Sequence, residues 1–93
     1  MQVLWNDVVI AESSNTAKYN GSYYFPASSL RNDFFRKSPD THICPLRGTG
    51  NYFDLFIEGN ILPNAACHYP SPLKEDVKYI AGMIEFSSQL EIQ

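Results

Sequence analysis

The stretch YFDLFIEGNIL, residues 52–62, decides the fold that this sequence predicts. Phe53, Leu55 and Ile57 recur at every second position, which is the period of a β-strand, so their side chains share one face. Glu58-Gly59-Asn60 then interrupts the apolar run before it resumes. The pattern predicts a β-hairpin that lays its apolar face on the core.

Two further hairpins are predicted upstream, from the residues of their turns. Asn6-Asp7 separates two apolar runs, and Asn20-Gly21 separates two runs that contain tyrosine. Asn, Asp and Gly tolerate the positive φ that a tight two-residue turn requires. Towards the end of the chain, alternation predicts a strand over residues 79–86, with a bend at Gly82, and a short last strand over residues 90–92.

One short helix is predicted near residues 27–36. Pro26 presets the backbone for its first turn, and Leu30 and Phe34 stand four positions apart on one helical face. Ser38-Pro39 is expected to end the helix, because a residue before proline avoids the α region. The sequence therefore predicts a compact, mainly β fold, in which strongly bent antiparallel sheets form a barrel-like or tent-like domain with one short helix.

Chain length and charge narrow the classes of function. Ninety-three residues leave room for one domain, and the net charge of −3 argues against a surface that binds nucleic acid. No apolar run approaches the roughly 20 residues that span a membrane, and the N-terminus lacks the basic and apolar regions of a signal peptide. We therefore expect a single cytoplasmic domain of residues 1–93 with reduced thiols, no cofactor, and no nucleic acid or membrane partner.

The predicted strand over residues 79–86 also bears on assembly. Residues 79–84 carry no charge, so this tract would invite pairing with another chain if it lay at a sheet edge. We expect it to lie centrally and to be covered by the last strand, in a monomer or at most a weak dimer. The predicted core consists of Val3, Trp5, Val9, Leu30, Phe34, Phe53, Leu55, Ile57, Leu62, Ile80, Ile84 and Phe86.

Four residues with reactive or metal-binding side chains fall into two groups along the chain: His42 and Cys44, then Cys67 and His68. No metal site is expected, because there is no C-x-x-C motif and the adjacent Cys67 and His68 point to opposite faces of a strand. One open interpretation is a thiol-dependent enzyme, in which Cys44 is the nucleophile and His42 or His68 activates it. The other is that Cys44 is a buried apolar residue.

Binding of a small ligand or a protein partner is the leading interpretation of function. The chain has six tyrosines, more than so small a core can hide, so several rings should line a concave patch beside polar side chains. We expect this patch near residues 41–47. The proposed ligand-binding residues are Tyr24, Thr41, His42, Cys44, Arg47, Thr49, Tyr52 and Tyr69.

Several short motifs run from end to end of the chain. The most specific is Thr41-His42-x-Cys44-Pro45-x-Arg47-Gly48. Others are Tyr24-Phe25-Pro26, Tyr69-Pro70-x-Pro72-Leu73 and Ile80-Ala81-Gly82. In this combination the sequence resembles the small bacterial family called domain of unknown function 427. The resemblance implies a compact, mainly β domain with strongly bent antiparallel sheets.

Members of that family are sometimes called nucleotidyltransferase-like. The sequence gives this name no support, because it does not combine Gly-Ser with the paired aspartates that would hold Mg²⁺ and a nucleoside triphosphate. The resemblance therefore implies a fold, and it leaves the ligand and any reaction open.

Overall fold

Nine β-strands carry the architecture of the protein, which a computed structural model describes over residues 1–93. The only helices are three short 3-10 segments, and none is long or apolar enough to cross a membrane. The strands are β1 (Gln2–Trp5), β2 (Val8–Glu12), β3 (Ala17–Tyr19), β4 (Ser22–Phe25), β5 (Phe35–Cys44), β6 (Gly48–Ile57), β7 (Asn60–His68), β8 (Ile84–Phe86) and β9 (Glu91–Ile92).

The strands form two antiparallel sheets. The small sheet has the order β2-β1-β9, and the large sheet has the order β3-β4-β8-β7-β6-β5. Every pairing is antiparallel, and neither sheet closes on itself into a barrel. The prediction of a compact, mainly β domain is confirmed.

The three predicted hairpins form at the expected turns. In each turn both central residues have positive φ, as a two-residue turn between twisted strands requires. The values are 49° and 66° at Asn6 and Asp7, 52° and 82° at Asn20 and Gly21, and 49° and 82° at Glu58 and Gly59. The third turn is one residue shorter than the sequence suggests, because Asn60 already pairs with Ile57.

Three neighbouring strands bend at the same level of the large sheet. The register shifts between Lys37 and Thr41 in β5, and between Phe53 and Leu55 in β6. In β7, Asn64 has a φ of +53° and donates hydrogen bonds of 2.8 Å from its backbone N–H to Asp54 and from Nδ2 to Asp40. A β-bulge of this kind sharpens the local twist, so these hydrogen bonds fix the curvature of the sheet.

Residues 27–36 do not form one continuous helix. Two separate 3-10 turns, Ala27–Ser29 and Asn32–Phe34, are interrupted at Leu30, which makes an isolated β-bridge with Ala11. A helix this short has little intrinsic stability, so the tertiary contact decides the backbone. Ser38-Pro39 lies inside β5 and ends no helix, since an edge strand with a bulge tolerates proline.

The prediction of a strand over residues 79–86 is wrong for its first half. Glu75–Ile80 forms a 3-10 helix that buries Val77 and Ile80, three positions apart, and Gly82 turns the chain with a φ of +73°. Only β8 is a strand, and it does lie centrally, between β4 and β7.

The predicted partner of the last strand is also wrong. β9 pairs with β1 in the small sheet, where Ile92 lies opposite Val3, and it does not cover residues 79–84. β7 is central as well, between β8 and β6. Its Pro63 is accommodated because the strand bulges at Asn64, so no ladder hydrogen bond is lost there.

Two groups of buried side chains lie on opposite faces of the large sheet. The apolar core lies on the face towards the small sheet, and the tyrosine cluster on the other. The apolar core comprises Val3, Ile10, Ala11, Phe25, Leu55, Ile57, Ala65, Ala66, Ile84, Phe86 and Leu90. The tyrosine cluster comprises Tyr24, Cys67, Tyr69, Val77 and Ile80.

Most of the predicted core residues are in or beside these groups. Trp5, Leu30, Phe34, Phe53 and Leu62 pack against the apolar core and stay partly exposed. Val9 is an error, because Ile10 and Ala11 are the fully buried residues of β2. The register shift between Val3 and Leu4 changes which residues of β2 face inwards.

Candidate ligand-binding site

A row of four polar or sulfur-bearing side chains crosses the large sheet. Tyr52 of β6 pairs with Cys67 of β7, Cys67 pairs with Glu85 of β8, and Glu85 pairs with Tyr24 of β4. Residues directly opposite one another in a sheet share a face. The row therefore lies on the face that carries the tyrosine cluster.

Arg47 reaches this row from the turn that joins β5 to β6. The turn spans residues 45–47 and ends at Gly48, whose φ of +81° only glycine adopts without strain. Arg47 Nη1 donates hydrogen bonds to Tyr24 Oη at 2.7 Å and to Glu85 Oε1 at 3.0 Å. Its guanidinium carbon lies 4.5 Å from the centre of the Tyr69 ring. One side chain thus joins β4, β8 and the residue that follows β7 through hydrogen bonds, an ion pair and a cation–π contact.

Arg47 also holds the thiol of Cys44. The Sγ atom accepts hydrogen bonds from the backbone N–H and from Nε of Arg47, each at 3.4 Å. These bonds favour the charged form of the thiol and lower the pKa of Cys44. Burial alone would lower the pKa of Arg47, but its hydrogen bonds to Cys44 and Tyr24 outweigh that effect and raise it. The guanidinium is therefore a permanent positive charge in the site.

Gly50 allows the rings to come close to the backbone of β6. A Cβ at this position would lie 2.7 Å from Cε1 of Tyr69 and 2.8 Å from Sγ of Cys67, so only glycine fits. The strand partner of Gly50 is His42, whose ring centre lies 6.0 Å from that of Tyr69 and 6.3 Å from that of Tyr52. The absence of a side chain at Gly50 lets three rings gather around one point of the sheet.

These side chains enclose a small cavity of about 180 Å³. Burial raises the pKa of Tyr69 and of Cys67, so both groups stay neutral at pH 7. The only full charges on its lining belong to Arg47 and Glu85, and they are paired. The lining residues that present rings, sulfur or charge are His42, Arg47, Tyr52, Cys67, Tyr69, Glu85 and Phe86.

The sequence of the chain was compared with family models and with curated proteins. The model of the domain of unknown function DUF427 matches residues 1–92. The chain belongs to this family. No curated protein matches the sequence. The match spans all nine strands, so the DUF427 domain includes both sheets and the cavity between Arg47 and Tyr52.

The DUF427 domain brings together six of the eight residues proposed from sequence as ligand-binding. His42, Arg47, Tyr52 and Tyr69 line the cavity. Tyr24 and Cys44 contact the cavity only through Arg47, to which they are hydrogen-bonded.

The two threonines do not join the site. Thr41 and Thr49 are exposed, and strand alternation places them on the opposite face of β5 and β6 from His42 and Gly50. Their orientation depends on the register of β5, which the sequence does not predict.

Neither histidine makes a hydrogen bond with Cys44, as a general base would. The hydrogen bonds to Cys44 come from Arg47, and His68 stacks on Phe53 on the other face of the sheet. No three side chains of His, Cys, Asp and Glu converge to form a metal-binding group.

Glu85 is the charged side chain of the candidate site that sequence analysis missed. It looks like a charged residue that guards the end of an apolar tract, yet it forms the ion pair with Arg47. A signal was present, since Glu85 is a lone carboxylate between Ile84 and Phe86. A charged residue between two buried neighbours on a central strand faces away from their core and needs a partner.

Proposed function

We propose that this domain binds a small, planar, uncharged molecule that presents a carbonyl oxygen next to an N–H group. The observation that carries this proposal is the ion pair of Arg47 and Glu85 at the cavity. Its hydrogen bonds use Nε and Nη1 of Arg47 and Oε1 of Glu85. Nη2 and Oε2 make no hydrogen bond within the protein, so the ion pair keeps one donor and one acceptor for a ligand.

Because the charges of Arg47 and Glu85 are paired, the expected ligand carries no net charge. A ligand with a net charge would have to compete with one member of the ion pair, whereas an amide edge uses both members at once. Its carbonyl accepts from Arg47 and its N–H donates to Glu85. Both hydrogen bonds involve a charged group and are therefore strong.

The rings and the size of the cavity define the body of the ligand. His42, Tyr52 and Tyr69 offer aromatic surface around the ion pair. The volume of about 180 Å³ lies below the roughly 300–1,000 Å³ of pockets for drug-sized molecules, so a single ring is the expected size. A cyclic amide meets both requirements.

The experiment compares two probes that differ in one donor. 2-Pyridone has adjacent C=O and N–H groups, and N-methyl-2-pyridone lacks the N–H. We expect 2-pyridone to shift the NMR signals of Arg47 Nε and Tyr69, and the N-methyl compound to bind about tenfold more weakly, the value of one charge-assisted hydrogen bond. Equal binding of the two probes, or no binding of either, would contradict the proposal.

A matched pair of variants locates the interaction. Glu85→Gln keeps the shape of the side chain and removes its charge, so binding of 2-pyridone should weaken about tenfold. Glu75→Gln makes the same change in charge at an exposed carboxylate of the 3-10 helix and should leave the affinity unchanged. If both variants bind alike, Glu85 does not contact the ligand.

A thiol-dependent enzyme is the second candidate function, and the two N–H groups on Cys44 Sγ favour it. They stabilise a thiolate without a histidine, so the activating group would be Arg47. Cys44 should then react with iodoacetamide at pH 6.5, while Cys67, which is 5% exposed, should react only after unfolding. Arg47→Met should slow the labelling of Cys44. Equal labelling of both cysteines would rule the candidate out.

A further inference from the structure

A second cavity, of about 300 Å³, lies where β5, β6 and β7 meet. His68 and Phe53 give it a stacked pair of rings, with centres 5.2 Å apart and planes 27° apart. Lys37, Ser38 and Asn51 supply its polar lining. The sixth lining residue, Tyr52, is the only one that this cavity shares with the cavity at Arg47.

His68 has an unused polar atom beside this cavity. Its Nδ1 is buried and makes no hydrogen bond with the protein. An unsatisfied buried polar atom costs about 1–3 kcal/mol, so such atoms are rare without a reason. A ligand that accepts a hydrogen bond from Nδ1–H would remove this cost. The required group is therefore an acceptor.

Lys37 supplies the charge. Its ammonium takes no part in an ion pair, and no acidic residue lines the cavity. The pKa of the His68 imidazole is lowered, mainly by burial and in addition by the positive charge of Lys37. The side-chain amide of Asn51 makes no hydrogen bond within the protein either. Three free donors thus face a cavity without a negative charge.

We propose that this cavity binds a small carboxylate carried on an aromatic or apolar body. The carboxylate accepts hydrogen bonds from Lys37 Nζ and His68 Nδ1–H, and the body packs against Phe53. One cation matches the single charge of a carboxylate, whereas a phosphate dianion would be left with uncompensated charge. The groups proposed to bind the carboxylate are distinct from those of the cyclic-amide site, because the two cavities share only Tyr52.

The test uses benzoate, with benzamide as its uncharged isostere and inorganic phosphate as a different anion. Benzoate should shift the imidazole NMR signals of His68, and benzamide should bind at least tenfold more weakly because it lacks the charge. Equal binding of benzoate and benzamide, or binding of phosphate alone, would overturn the proposal. The absence of any shift at His68 would overturn it too.

Two variants keep the test independent of folding defects. Lys37→Gln removes the cation, and Lys74→Gln removes an equally exposed cation elsewhere. We expect the affinity for benzoate to fall about tenfold in Lys37→Gln and to stay unchanged in Lys74→Gln. His68→Phe keeps the stacked ring and removes Nδ1, so it should weaken binding as well. If both lysine variants bind benzoate as the unmodified protein does, the proposal is wrong. Failure of 2-pyridone to bind at Arg47 would not affect these readouts.

Discussion

The two faces of the large sheet use the same strands for opposite purposes. On β4, Phe25 belongs to the apolar core while its neighbour Tyr24 belongs to the tyrosine cluster. On β7, Ala66 and Cys67 divide in the same way. The apolar core contains no hydrogen bond between side chains, whereas the opposite face depends on the four hydrogen bonds that Arg47 donates. The difference shows that a strand of period two can stabilise a fold with one face and leave the other face for binding.

The largest contrast between the faces should come from Phe25. This ring is fully buried and packs edge-to-face on Phe86, with centres 5.3 Å apart. We expect Phe25→Ala to lower the free energy of unfolding by about 3–5 kcal/mol, because it leaves a cavity in the apolar core. Urea unfolding measures the loss. A loss below 1 kcal/mol would show that the face towards the small sheet does not stabilise the fold as described.

Gly50→Ala tests the packing of the opposite face. The added methyl group would overlap Tyr69 and Cys67, so their side chains must move. We expect a loss of about 1–3 kcal/mol, the usual cost of overpacking, and weaker binding in the cavity beside Tyr69. Chemical denaturation and the 2-pyridone titration measure the two effects. A variant as stable as the unmodified protein would mean that the rings have more room than the geometry indicates.

Loss of a single hydrogen bond on the face of the tyrosine cluster should lower the free energy of unfolding by less. Tyr24→Phe removes the acceptor of the 2.7 Å bond from Arg47 but keeps the ring and the ion pair with Glu85. We expect the free energy of unfolding to fall by about 1 kcal/mol, because the guanidinium keeps its other partners. Comparing this variant with Phe25→Ala at the adjacent position measures the two faces within one strand. Equal losses would contradict the division.

The smallest effect should be the dependence of stability on acid. Burial lowers the pKa of His68 in the folded state, so below about pH 6.5 the unfolded chain binds a proton more readily. Stability is therefore lost as the pH falls, by at most about 1.4 kcal/mol per pH unit, the limit for one proton. His68→Phe should flatten this slope in urea unfolding between pH 7 and pH 5. An unchanged slope would assign the acid sensitivity to other groups.

Alkaline pH should weaken the opposite face instead. Burial raises the pKa of Tyr24 and of Tyr69, so their neutral forms stabilise the fold below about pH 10. Above that pH the unfolded chain loses these protons first, and stability falls. The face that carries His68 therefore loses stability in acid, and the face that carries Tyr24 and Tyr69 loses it in alkali.

Local turn chemistry explains why much of the fold could be predicted. Asn20-Gly21 determines its own hairpin, because the positive φ values it adopts depend on no distant residue. The spacing of Leu30 and Phe34 was misleading for the opposite reason. A spacing of four residues is typical of a helix. The backbone at Leu30 is instead determined by its bridge to Ala11, which belongs to a strand about twenty residues upstream.

The candidate site was harder to predict because it depends on register across four strands. The tyrosines and Arg47 could be proposed from composition and local motifs. That Glu85 lies opposite Tyr24 and Cys67 follows only from the pairing of β8, which the sequence does not specify. Thr41 and Thr49 were included for the same reason, since a shift of one residue would have turned them into the cavity.

The pairing of β1 with β9 has a consequence for the order of folding. Val3 and Ile92 are neighbours in space but lie at opposite ends of this stretch of chain. Before residues 91 and 92 have been made, β1 and β2 can pair only with each other and with Leu30. An isolated two-stranded hairpin is only marginally stable in water, and contacts between distant residues form slowly because closing a long loop costs entropy. We therefore expect the small sheet to be the last part of this domain to be completed.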